Sequence, residues 1–182
     1  AEGFSGDVSL SYTAKVIDSP SLFGENGHYY SYVDANRITW TAARDAAAIS
    51  TLNGVSGYLA TVTSEAENNF ITSVIGGFAW LGGSDGGEEG VWEWVTGPEA
   101  GTQFWQGGAD GNVVDELYAN WVDANPNNSN NNEDFVHTSP GSGLWNDWPN
   151  SIQFINGYVV EFDGVEGCET TFSDDAVVTI TV

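Results

Sequence analysis

Between residues 125 and 147 the chain gathers side chains whose shared chemistry is hard oxygen. Asn125 and Asn127 flank Pro126, Glu133 and Asp134 follow, and Asn146 and Asp147 sit between Trp145 and Trp148. Carboxylates and amide carbonyls are the ligands that Ca²⁺ takes, about six to eight at a time. A His/Cys cluster at zinc spacing is absent, and so is the EF-hand pattern. If the Asn125–Pro126 peptide is cis, both flanking amides turn to the same side. Spacing alone leaves a second reading open, because Asn and Asp also build turns. Catalysis is not expected. His28 and His137 are the only imidazoles, are far apart in sequence and have no nucleophile partner. A glycosidase-type pair chosen from 26 acids carries no weight.

These oxygens need a scaffold, and the hydrophobic pattern supplies its parts. Val8, Leu10, Tyr12, Ala14 and Val16 alternate with polar residues, as do Ala176, Val178, Ile180 and Val182 with theirs, which predicts two terminal strands able to pair. Thr39 is placed to cap a helix from Trp40 to Ala48. Ser64 and Glu67 form a capping box ahead of an apolar stripe of Phe70, Ile71, Val74 and Ile75. Short strands are expected at 78–81, 91–95 and 158–160. Between Gly97 and Ser151 lies a stretch rich in Gly, Asn, Asp and Pro, the kind of long loop that is usually functional or disordered. Trp105, Trp121, Trp145 and Trp148 within it argue for order, since they need somewhere to bury.

Composition narrows the partners. Three basic residues against 26 acidic ones give a formal charge of −23. Nucleic-acid binding and attachment to an anionic membrane surface both need a basic footprint, and neither is expected. No apolar run is long enough for a membrane span. The chain is 41% hydrophobic, enough for a core, so it is no acidic disordered tail. So many unbalanced negative charges favour a setting where salt or cations screen them. Cys168 is the single cysteine, which excludes an internal disulfide; it is read as a lone small residue or a free thiol. The final strand pattern runs to the last residue, which suggests a module cut from a larger multidomain protein.

In order along the chain, the fragments resemble a C-type lectin domain. They are Trp40-x-x-Ala43; Leu59 to Phe70 with Ser64-x-x-Glu67; Ala79-Trp80-Leu81-Gly82; Trp92 to Gly97; Asn120-Trp121; Asn125-Pro126-Asn127-Asn128; Glu133-Asp134; Trp145-Asn146-Asp147; and Tyr158 to Glu161. The resemblance spans about residues 24–164. It implies an α+β fold with two helices, mixed antiparallel sheets closed by the chain's ends, and a long calcium-binding loop region. The lectin-like domain is taken as 24–164, with 1–23 an N-terminal strand and flank and 165–182 a C-terminal strand of the same domain. The resemblance further implies Ca²⁺ held by Asn125, Asn127, Glu133, Asn146 and Asp147. The same five side chains would hydrogen-bond two vicinal sugar hydroxyls that join the metal's shell, amide NH₂ groups donating and carboxylates accepting.

Three departures from the family's pattern shape the expectation. Asn125 stands where the mannose-type motif has Glu and the galactose-type has Gln. It brings no charge, so the five ligands carry −2 and the dissociation constant is expected in the extracellular range, roughly 10⁻⁴–10⁻³ M. Asn127 in the third position favours mannose or fucose. The family's usual cysteines are replaced by Ala47, Phe135, Asn150 and Val160; apolar packing at Ala47 and Val160 is expected to restore part of the lost stability, and bound calcium another part. Loss of disulfides fits microbial members, such as modules of calcium-dependent bacterial surface adhesins. Asp110, Asp115 and Glu116, with Asn128 and Asp134, offer an auxiliary calcium site, against the more common alternative of a solvated acidic loop. Trp148 is either core or a wall beside the sugar. The expected role is therefore a non-enzymatic, calcium-dependent glycan-binding module of an extracellular or cell-surface protein. Its alternatives are a protein- or peptide-binding and an ice-binding lectin-like domain.

Overall fold

A computed structural model describes residues 19–165 except 152. The expected terminal strands at 7–16 and 176–182, and Cys168, lie outside the described residues. The elements run β1 (Ser21–Phe23), β2 (His28–Asp34), α1 (Trp40–Ile49), β3 (Thr51–Leu52), β4 (Val55–Ser56), β5 (Tyr58–Leu59), α2 (Glu65–Val74), β6 (Ala79–Ser84), β7 (Val91–Trp94), β8 (Thr102–Gln106), β9 (Asn112–Val113), β10 (Phe135–Thr138), β11 (Trp145–Trp148) and β12 (Gly157–Phe162). One path of pairing runs β1-β2-β12-β6-β7-β8-β9, with β10 on β6, β11 on β10 and β5 on β12. Only β12 and β6 pair in parallel among these neighbours, so the sheet is mixed, and late strand β12 lies against early strand β2. The α+β, two-helix expectation therefore holds.

Both helices start where the caps predict. Thr39 accepts from the Ala42 N–H and opens α1; Ser64 accepts from the Glu67 N–H and opens α2. The reciprocal half of the expected box is shifted by one residue. The Glu67 carboxylate accepts from the Thr63 N–H at 2.7 Å, not from Ser64, and also accepts from the Tyr30 hydroxyl. That turns it inward, where Glu161 takes a second bond from the Tyr30 hydroxyl at 3.0 Å and pairs with His28 at 2.5 Å. A buried polar knot thus joins α2, β2 and β12.

The core divides in two. Ile71 and Ile75 of α2 join Trp92, Trp94, Phe104 and Trp145 in one cluster. Trp40, Ala43 and Ala47 of α1 join Leu59, Trp80, Val160 and Phe162 in the other. Ala47 and Val160 are wholly buried within that second cluster, and Phe135 stacks on Trp40 at 4.5 Å. Three of the four positions expected to replace cysteines are therefore packed apolar side chains, and the fourth, Asn150, bonds to Thr41 of α1.

The long stretch after Gly97 is less of a loop than expected. It contains β8, β9, β10 and β11, each of two to five residues. Trp145 is fully buried, while Trp105 and Trp121 pack partly buried against the first cluster. The longest irregular part is the segment from Val114 to Asp134, which carries Asn125, Asn127, Asn128, Glu133 and Asp134, while Asn146 and Asp147 lie on β11.

Candidate metal and ligand site

β10 and β11 form the arm that holds the acidic groups. Val136 lies opposite Asp147, and His137 opposite Asn146. Alternation along a strand sends neighbours to opposite faces, so Trp145 and Asp147 point inward while Asn146 and Trp148 do not. The start of β11 is pinned from α2. Asn68 accepts from the Trp145 indole at 2.8 Å, and Asn68 and Asn120 both donate to the Gly143 carbonyl. Gly143 has φ of 65°, and an added Cβ would lie 2.4 Å from the Thr72 hydroxyl, so a side chain there is excluded on two counts.

Asp147 is the centre of the arrangement. One of its oxygens accepts from the N–H groups of Asn127 and Asn128, at 2.7 and 2.6 Å. Its other oxygen is buried with no partner among the described residues. The Asn125–Pro126 peptide is cis, and the Asn127 amide donates to the Asn125 carbonyl oxygen at 2.5 Å, so the two amides do lie side by side. Glu133 is buried, accepts from the Ser129 N–H at 2.9 Å, and donates its own N–H to the Asn128 side chain. Burial holds the carboxyl pKa of both Glu133 and Asp147 above the ordinary range, and the charge of Asp147 adds to the rise at Glu133. Backbone donors oppose both shifts.

Asn125, Asn127, Glu133 and Asp147 are thus tied, directly or through Asn128, into one hydrogen-bonded loop. Asn146 joins it differently. Its amide donates to the Asp147 carbonyl at 2.9 Å and meets His137 at 3.4 Å, lining a recess on its own side of β11.

Two further carboxylates approach this loop, and neither was singled out from the sequence. Asp85 and Glu89 sit in the turn between β6 and β7. Asp85 accepts from the Gly90 N–H at 2.9 Å, while its other oxygen is buried without a partner among the described residues. Its backbone N–H bonds to the Asp134 carbonyl. The Asn128 amide donates to Glu89. Burial first, then Glu89 and Asp134, pushes the Asp85 carboxyl up to about 7. The signal was present in the acidic, glycine-rich run Ser84-Asp85-Gly86-Gly87-Glu88-Glu89 directly after a strand. Asp110, Asp115 and Glu116, suggested earlier for an auxiliary ion, lie exposed. Glu89, Asn127, Asn128 and Asp147, with Trp92 and Pro126, line a cleft of about 420 Å³.

Two buried carboxylate oxygens without partners, surrounded by other carboxylates and amide carbonyls, are destabilising as they stand. A hard divalent cation compensates both the charge and the missing bonds, so the donor set fits Ca²⁺.

The fold defines a small α+β domain with two helices, a mixed sheet and a long irregular segment beside β10 and β11. The family profile of the lectin C-type domain matches residues 37–154, and the chain belongs to that family. Halomucin of Haloquadratum walsbyi is 39% identical over 175 residues, 90% of this chain and 2% of that one. The human C-type lectin domain family 4 member K is 30% identical over 135 residues, 73% of this chain and 35% of that one. The chain thus spans only a small part of each of these two relatives. Among solved structures, the C-type lectin CEL-I of Cucumaria echinata superposes with a TM-score of 0.54 at 23% identity, covering 74% of this chain and 89% of that one. A calcium-independent type II antifreeze protein superposes with a TM-score of 0.55 at 22% identity, covering 79% and 91%. These two likenesses show the fold.

Proposed function

We propose that the chain is a calcium-dependent carbohydrate-binding module, selective for the vicinal diol of mannose- or fucose-type glycans. The observation that supports it is the unpartnered, buried Asp147 oxygen beside the paired Asn125 and Asn127 amides. Asn125, Asn127, Glu133, Asn146 and Asp147 would hold the ion, with the Asp147 carbonyl an added donor within reach of the Asn146 amide. Bound Ca²⁺ supplies coordination to two sugar hydroxyls. Around it the carboxylates of Glu133 and Asp147 accept hydroxyl protons, and the Asn amides donate to hydroxyl oxygens. Asp85, Glu89, Asn128 and Asp134 form the acidic set for a second ion.

By the length of halomucin, the module belongs to a larger extracellular or cell-surface protein, where it attaches the parent molecule to glycans. Calorimetric titration with methyl α-mannoside and fucose, in calcium and in EDTA, tests the reading. Saturable heat in calcium that vanishes in EDTA is expected. Equal heat in both buffers, or none in either, refutes it.

A further inference from the structure

His28, at the start of β2, lies between two carboxylates. Its Nδ1 meets Glu161 at 2.5 Å and its Nε2 meets Asp163 at 3.1 Å. A neutral imidazole carries one N–H and the imidazolium two, so only the protonated ring serves both partners. Glu161 is 1% exposed, and its other oxygen accepts from the Thr61 N–H at 3.0 Å. The oxygen that takes His28 also lies 3.0 Å from the Tyr30 hydroxyl, which reaches Glu67 as well. That hydroxyl oxygen already accepts from the Asn26 amide at 2.8 Å, and it has one proton to give to two buried carboxylates. Two arrangements follow. With His28 charged, the ring serves Glu161 and the Tyr30 proton goes to Glu67. With His28 neutral, its one N–H is divided between Glu161 and Asp163, the positive charge is gone, and Glu67 and Glu161 face each other over a single proton.

The surroundings leave His28 as the group that changes state. Its bond to Glu161 raises its pKa against the opposing effect of burial, and the charges of Glu161, Asp163 and Glu67 add to the rise. Burial, then Glu161 and Glu67, keeps the Tyr30 hydroxyl protonated; burial, then Glu161, Glu99 and Asp163, does the same for Tyr58 of β5. Burial also raises Glu67, opposed by its Tyr30 and Thr63 donors. Glu67 stands in the first turn of α2, held by the Thr63 N–H at 2.7 Å and hydroxyl at 2.9 Å. The next residue, Asn68, takes the Trp145 indole at 2.8 Å and holds the Gly143 carbonyl at 3.1 Å. One helical turn thus has Glu67 in the polar knot and Asn68 on the start of β11. We propose that protonation of His28 regulates the β11 arm: the imidazolium locks Glu161 and, through the Tyr30 proton, Glu67, and the first turn of α2 passes that lock to Trp145 through Asn68. His28 is a positioning residue, since it touches none of the proposed ligands. A raised histidine binds its proton in the fold, so the lock is complete at low pH and is lost as pH rises through the folded midpoint. The link to ion binding rests on the calcium reading above; the lock itself does not.

The test uses the whole chain labelled with ¹⁵N and titrated with acid and base in EDTA. The His28 ring resonance, assigned with His28→Gln, reports its protonation, and the Trp145 indole resonance, assigned through its contacts with Asn68, reports the arm. The indole is expected to titrate with the His28 midpoint, and His28→Gln is expected to remove that component. An indole midpoint that differs from that of the His28 ring overturns the proposal with no variant needed, and so does an indole titration that survives in His28→Gln. Calorimetry then reads the consequence. Below the observed midpoint His28→Gln is expected to weaken calcium binding about two- to fivefold against the parent, and above it the two affinities should converge. The same ratio on both sides of the midpoint overturns the regulation. If the parent gives no calcium heat at any pH, the calcium reading fails, and the indole titration still decides whether the lock exists.

Discussion

At the residue scale, the site is a balance between buried charge and missing partners, and that balance is measurable. Asp147→Asn keeps an acceptor for the Asn127 and Asn128 N–H groups but removes the charge and the free carboxylate oxygen. Calcium affinity by calorimetry is expected to fall at least about tenfold, and EDTA should then cease to lower the melting temperature. In the parent chain, calcium at about ten to a hundred times its dissociation constant is expected to add roughly 1.5–3 kcal/mol of stability. Asp85 makes a second prediction. Its folded pKa, about 7, exceeds its ordinary value of 3.8, so the metal-free fold binds a proton that the unfolded chain releases. Stability from this group is therefore present at low pH and lost as pH rises through about 7. His28, raised by its bond to Glu161, acts in the same direction; buried His137, lowered to about 4, acts the other way but only below its ordinary value of 6.5. Between about pH 6.5 and 8 the EDTA-treated protein should lose about 1 kcal/mol through Asp85, and Asp85→Asn should remove that share of the slope. Denaturant titrations across this window that show no difference between the two chains refute the assignment. Of the proposed site, the Asn-Pro-Asn, Glu-Asp and Asn-Asp groups could be picked out in sequence because each is a local run of oxygen-bearing residues. Asp85 and Glu89 were not picked out. They come from a hairpin some forty residues upstream and reach the loop only through the β6–β10 pairing.

At the element scale, α2 controls the geometry of an arm it does not belong to. Asn68 is buried, takes the Trp145 indole and holds the Gly143 carbonyl, so it sets where β11 begins and hence where Asp147 points. Asn68→Ala leaves the Trp145 indole N–H buried without its acceptor, while Asn120 still serves Gly143. A stability loss of about 2–3 kcal/mol is expected in chemical denaturation, with a measurable fall in calcium affinity although Asn68 touches none of the proposed ligands. A variant that loses stability but keeps calcium affinity unchanged would show that β11 is positioned from elsewhere. The helices could be read from sequence because caps and a 3.6-residue stripe are local signals: Thr39, Ser64 and the Ile71–Ile75 pair act within a few residues of themselves. Strands β1 to β5 and β8 to β11 escaped; all but the seven-residue β2 are two to five residues long, and most are stabilised by partners distant in sequence. Residues 145–148 are the sharpest case. Trp-Asn-Asp-Trp alternates buried and half-buried as a strand must, yet in sequence it reads as a ligand motif, and it is both. The Glu67 side chain makes the same point on a smaller scale, since Tyr30, a residue from β2, decides which backbone donor it reaches.

At the scale of the whole molecule, the net charge of −23 sets the conditions under which the fold is stable. The described residues offer little internal compensation. Arg44 pairs with its exposed neighbour Asp45, a contact worth little, and His28 lies between Glu161 and Asp163. Self-repulsion of this kind acts over a screening length of about 10 Å at 0.1 M salt and about 3 Å at 1 M. Raising sodium chloride between those concentrations should therefore weaken repulsion among the many surface carboxylates while leaving hydrogen bonds and packing in place. A gain of about 1 kcal/mol or more is expected, which for a domain of this size is a rise of roughly 2–4 °C in melting temperature. Two controls separate this effect from the site. In EDTA the salt dependence should persist, because it belongs to the surface as a whole. In Asp147→Asn it should persist as well, although the calcium increment is gone. Magnesium at matched ionic strength should reproduce the general screening but not the calcium increment, since Mg²⁺ demands near-octahedral geometry and keeps its waters, whereas Ca²⁺ accepts the irregular oxygen set of this loop. A melting temperature that stays flat or falls as sodium chloride rises would mean that the acidic surface does not destabilise the fold. In that case the stabilisation by calcium would have to come from ligation alone, with screening contributing nothing.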